Sequence, residues 1–186
     1  INPRLRIVEL LPQLEAVSSQ QQDPHIWLNP QNVQMMAQQI GNQLQQLKPQ
    51  DQPLFTHNLH QFQAELTQLD QELQVLFQPF HSRSFMVFHP AWGHFAAAYG
   101  LTQIAIEHEG KEPTAKTLDG LIARARREQI QTVFIQPQTN PKAAAQFAAA
   151  IQAEVVVLDD LAADYSANLR RVAQAIVRAL QPATQP

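Results

Sequence analysis

The sequence predicts an α/β fold: a four-stranded parallel sheet with helices on both faces, preceded by a long helix and a shorter segment before it. Two observations carry this. Four short runs, SFMVF (84–88), LTQIAIE (101–107), QTVFIQ (131–136) and EVVVL (154–158), are dominated by aliphatic and aromatic residues. Strands buried on both faces read as continuous apolar runs, whereas half-buried strands alternate. Each run is also followed by a stretch with helical spacing, and parallel neighbours need such crossover connections.

Taken in order, RLRIVEL (4–10) is a short strand candidate and EAVSSQQQDP (15–24) a polar loop. A helix follows in LNPQNVQMMAQQIGNQLQQL. Asn29 suits the N-cap and Pro30 the first helical position, while Val33, Met36, Ile40, Leu44 and Leu47 form one apolar stripe. Residues 52–77 make a longer helix, with Phe55, Leu59, Phe62, Leu66, Leu69, Leu73 and Leu76 at alternating steps of four and three. That is a heptad pattern, which suits either a coiled-coil strand or a helix laid along a domain. Helices are then expected at 91–99, from Thr114 to about Glu128, from the Asn140-Pro141 cap to about Gln152, and from about Asp164 to Leu180.

Composition narrows the function. The chain has 186 residues, 45% of them hydrophobic, and a net charge of −3. No Lys/Arg stripe is present, which argues against nucleic acid as a partner. No apolar run approaches the ~20 residues of a membrane span. Cysteine is absent, so any metal must be held by His, Asp or Glu. The chain starts at Ile1 without a signal sequence, and a processed or truncated piece is expected.

In an open parallel sheet, ligands bind beyond the carboxyl ends of the strands. Those ends carry His89, then Glu107, His108 and Glu109, then Gln136, Pro137 and Gln138, then Asp159 and Asp160. An imidazole with several carboxylates suits a divalent cation. The residues alone leave a plainer reading open, in which His89 is a surface histidine and one of the aspartates a helix cap. His25 lies in DPHIWLNP (23–30), between two prolines and next to Trp27, a segment with little backbone freedom. It is either a rigid ligand mount or a well-made helix entry. His57 and His60 read as solvated, His81 and His108 as loop, and His94 as packing or surface. Trp27 and Trp92 read as crevice wall and core.

DPHIWLNP, FHPAWGHFAAAYGL, IEHEGKEPTAKTL, VFIQPQ and VVVLDDLAADY, in this order and spacing, resemble the zinc/manganese substrate-binding proteins of ABC transporters, the ZnuA-like and TroA-like cluster. The resemblance implies two lobes joined by one long helix, with a metal ion between them and no chemistry done on it. It implies residues 1–50 as a remnant of the N-terminal lobe, 51–80 as the linking helix and 81–186 as the C-terminal α/β lobe. Carried over by motif, His25, His89 and Asp159 are the metal ligands. The turn reads LDDL where the family has LDPL, so Asp160 competes with Asp159. A further His ligand is expected upstream of residue 1. The implied cargo is zinc, with manganese second, since imidazole at 89 makes the site nitrogen-rich. The implied partner is a membrane permease, reached from the periplasm or the outer cell surface, with the protein peripheral to the membrane.

Three rival readings remain at this stage. A zinc-dependent hydrolase would use the same His/carboxylate cluster with Glu107 or Glu109 as base, though no HExxH spacing occurs. A nucleotide-binding domain lacks its glycine-rich turn, with five Gly in all. An interaction module would pair two copies through the heptad stripe of the long helix.

Overall fold

A computed structural model describes residues 7–10, 23–107 and 113–181. Its regular elements are α1 (Pro30–Leu47), α2 (Gln52–Phe77), β1 (Ser84–Val87), α3 (Gly93–Ala98), β2 (Thr102–Ala105), α4 (Ala115–Arg127), β3 (Thr132–Ile135), α5 (Pro141–Ile151), β4 (Glu154–Val157) and α6 (Tyr165–Leu180). Four helices start where their caps predict. The side chains of Asn29, Thr114, Asn140 and Asp164 accept backbone N–H groups of Gln31, Thr117, Lys142 and Ala167, which the first turn would otherwise leave unpaired.

The four strands form one parallel sheet in the order β2-β1-β3-β4. Alternate residues of β1 serve opposite faces. Phe85 and Val87 join a core with Leu69, Leu73 and Phe77 of α2, Phe95 of α3 and Leu169, Val172 and Ile176 of α6. Met86 pairs instead with Ile104, Val133 and Ile135 beneath Ala125 of α4 and Phe147 of α5. Both faces are therefore covered, as the apolar runs require. The edge strand β4 is less covered than its sequence suggests, with Val155 37% and Val157 56% exposed, because it has a neighbour on one side only.

The 26 residues of α2 span about 39 Å. Its heptad residues are used within the chain: Leu59, Leu66, Leu69 and Leu73 are buried. These residues pack against α1 and α6, which fits the reading of a helix laid along a domain. Helix α1 crosses it closely at Gly41, where a Cβ would stand 3.0 Å from Leu59 Cδ2. Buried Asp70 of α2 ties the helices together. Its carboxylate accepts from Gln31 Nε2 of α1 (3.0 Å), Gln74 Nε2 (2.9 Å) and the Tyr99 hydroxyl just after α3 (3.0 Å). Burial, reinforced by that carboxylate, pushes the Tyr99 hydroxyl far up, so it stays a donor.

Two expectations change. Of the strand candidate at 4–10, residues 7–10 are irregular and the remainder lies outside the described residues. Apolar alternation alone does not make a strand without a neighbour to satisfy its backbone. The apolar stripe of α1 is also largely uncovered: Ile40, Leu44 and Leu47 are exposed, while Asn32 and Gly41 are buried. Among the described residues no helix is long and apolar enough to cross a membrane.

Gly100 closes the turn between α3 and β2 at φ 67°, and a Cβ there would sit 2.9 Å from His81 Nδ1. Gly100→Ala is expected to destabilise the protein by about 1–2 kcal/mol from the left-handed backbone alone. Urea denaturation checks this, and an unchanged midpoint would contradict it.

Candidate metal site

The parallel register that pairs Val87 with Ala105 places His89 beside Glu107, two residues further along each strand. Backbone bonds continue past the strands to hold them there: Phe88 N–H donates to Phe134 O and Glu107 N–H to Phe88 O. The His89 ring meets Glu107 through Nδ1···Oε1 at 3.2 Å. Gln136, ending β3, reaches the His89 carbonyl at 3.5 Å. Together with Thr139, Asn140 and Asp160 these residues line an open cleft of about 420 Å³ at the carboxyl edge of the sheet.

His25 enters from the other side. It precedes a single 3₁₀ turn, Ile26–Leu28, whose Ile26 and Leu28 are buried. Asp23 folds back on it: Oδ1 accepts from the His25 backbone N–H at 3.0 Å and lies 2.6 Å from Nδ1. Burial opposes charge on Asp23, but the His25 hydrogen bonds, aided by the charges of His25 and His94, win and hold its carboxyl below the usual range. The rings of His25 and His89 stand edge to face, centroids 5.3 Å apart.

Nδ1 of each ring is turned to a carboxylate, and Nε2 of each makes no hydrogen bond among the described residues. A metal-ligating histidine is oriented in this way by its outer partner. Sequence reasoning missed two of these supports. Asp23 was legible only as part of a rigid entry, although an aspartate two residues before its partner is the spacing of an Asx turn. Of the two readings of His94, packing holds: it is buried at 4%, and what was missed is that its Nε2 reaches the Asp23 carbonyl at 2.9 Å.

The acidic turn is arranged differently from the two imidazoles. Asp159 Oδ1 accepts the Leu161 N–H at 2.9 Å, and its carbonyl accepts from Asn168 Nδ2. Asp160 lines the cleft with His89, and its Oδ1 is buried with no hydrogen-bond donor among the described residues. The structure thus brings His25 and His89 together and leaves Asp159 in a turn at the same edge. Among the described residues no three His, Asp or Glu side chains converge as a ready metal-holding group. His108 and Glu109 lie outside the described residues, and His57, His60 and His81 are exposed and do not line the cleft.

Residues 4–179 match the family described as zinc-uptake complex component A, periplasmic (ZnuA). The chain belongs to the ZnuA family. It is 30% identical over 143 residues to the high-affinity zinc uptake system protein ZnuA of Haemophilus ducreyi, covering 76% of this chain and 46% of that protein. Against the Bacillus subtilis protein of the same description the identity is 28% over 141 residues, covering 75% and 44%. This ZnuA-family chain therefore spans about half the length of those relatives. A crystal structure of a ZnuA superposes with a TM-score of 0.82 at 45% identity, covering 86% of this chain and 60% of that one. The periplasmic zinc-binding protein TroA of Treponema pallidum shares the fold, with a TM-score of 0.85 at 20% identity over 97% and 74% of the two chains. The four-stranded parallel sheet expected from sequence is thus the sheet of the ZnuA and TroA structures.

Proposed function

We propose that this chain is the zinc-holding part of the receptor of an ABC importer, capturing the ion outside the cytoplasm and passing it to a membrane permease. The observation that carries this reading is the His25–His89 pair, 5.3 Å apart, each with Nδ1 anchored on its own carboxylate. Family membership and the zinc-uptake descriptions of its relatives support the same cargo. Nε2 of both rings ligates zinc, and a carboxylate of the 159–160 turn approaches from the strand-β4 end. Asp160 suits this better in the present arrangement, since it lines the cleft and its buried Oδ1 has no partner among the described residues, whereas Asp159 would first give up its turn.

In this reading residues 1–50 belong to one lobe, 51–80 link it to the second, and 81–186 form the second. An upstream residue completes the coordination when the lobes meet. The protein binds and releases the ion without transforming it, and it works peripheral to the membrane at the permease's outer face. Two imidazoles favour zinc, with manganese the second choice. Titration calorimetry of the metal-free chain with zinc tests this. One ion per chain, with proton release into the buffer, is expected; no heat of binding and no displacement of a chromophoric chelator would overturn it.

A further inference from the structure

The His25–His89 pair depends on where residues 23–28 are held, and much of what holds them is distant in sequence. Three long-range hydrogen bonds hold the segment. His94 Nε2 of α3 reaches the Asp23 carbonyl at 2.9 Å. Trp27 Nε1 donates to the Asp160 carbonyl at 2.9 Å. The Tyr165 hydroxyl, from the first residue of α6, donates to the Trp27 carbonyl at 2.8 Å. Leu28 is anchored in the same core as Phe95 and Leu169. Asn32 of α1 supplies the local tie, through Nδ2 to the Ile26 carbonyl.

We propose that Tyr165, Trp27 and His94 are positioning residues that dock the His25 segment against α3, the acidic turn and α6, so that both imidazoles are in place before the ion arrives. The proposal rests on the reading of His25 and His89 as ligands. A ligand on a free loop must be ordered when the metal binds, and that ordering weakens binding; a docked one has been ordered by folding. The Trp27 ring adds a second restraint, standing edge to face with His25 at 5.4 Å. Trp27 and Tyr165 also couple the two acidic-turn and imidazole halves of the site. One bond fixes the Asp160 carbonyl, while the other fixes the residue two places after His25. Burial, with the charge of Asp70 behind it, pushes the Tyr165 hydroxyl up, so it remains a donor.

Docking and ligation are separable by experiment. In the metal-free chain, amide hydrogen exchange at Ile26 and Leu28 is followed for the wild type, Tyr165→Phe, His94→Leu and His94→Gln. Zinc affinity of each is measured by chelator competition, alongside His25→Ala as the ligand control. Tyr165→Phe and His94→Leu are expected to speed exchange and to weaken zinc about 10-fold or more, with little change in thermal midpoint. His94→Gln, which keeps a donor at that end of the side chain, is expected to restore both. Unchanged exchange overturns the docking. Faster exchange with unchanged zinc affinity leaves a packing role only and also overturns the proposal. Zinc binding by His25→Ala equal to wild type removes the ligand reading beneath it, whatever the exchange shows.

Discussion

His89→Ala is expected to lower zinc affinity by about 100-fold or more, beyond the ~10–100-fold typical of losing an outer-shell partner. The metal-free variant is expected to melt within a few degrees of wild type. The two outcomes separate because of where the side chain sits. His89 is 37% exposed and makes one side-chain hydrogen bond, to Glu107, so its removal opens no core cavity. Glu107, 15% exposed, loses its partner but borders the open cleft and can take water instead. Chelator competition measures the first quantity and scanning calorimetry the second. Wild-type affinity in the variant would end the assignment of this imidazole to the metal. A collapse of the melting temperature would show that the residue serves the fold.

Phe77→Ala has the opposite signature. It is expected to cost about 3–5 kcal/mol and to leave the strand-end cleft unaltered in chemistry. Phe77 is the last residue of α2 and fully buried, stacked on Tyr99 and edge to face with Phe95, each centroid 5.6 Å away. Truncation leaves a void at the point where the long helix meets α3. Urea denaturation should show a lower midpoint at unchanged slope. A loss under about 1 kcal/mol would mean that α2 is held chiefly by its polar ties, such as Asp70 to Tyr99, and not by this aromatic cluster.

The parts of the fold that follow from local chemistry were legible in the sequence. Asn29-Pro30 and Asn140-Pro141 announce their helices, and α2 runs from Gln52 to Phe77 as its spacing requires. The strands of the sheet announced themselves through uniform apolarity, and with them the edge that carries His89 and Glu107. What could not be read was anything set by contacts far apart in the chain. The heptads of α2 do not say whether the covering surface is a second copy or α1 and α6. The stripe of α1 does not say that its opposite side, with Gly41, takes the close contact. His94 gave no sign of its role, because its partner is a backbone carbonyl 71 residues earlier. The difference between Asp159 and Asp160 is likewise one of direction within a turn, where adjacent identical side chains carry no distinguishing signal.

The Tyr165–Trp27 bond closes a loop of 138 residues. Closing a loop of that length costs chain entropy that only later contacts repay, so it belongs to the last stage of folding. His25 precedes Tyr165 by 140 residues, so in the proposed reading the His25–His89 pair gains this restraint only once the start of α6 has been made and packed.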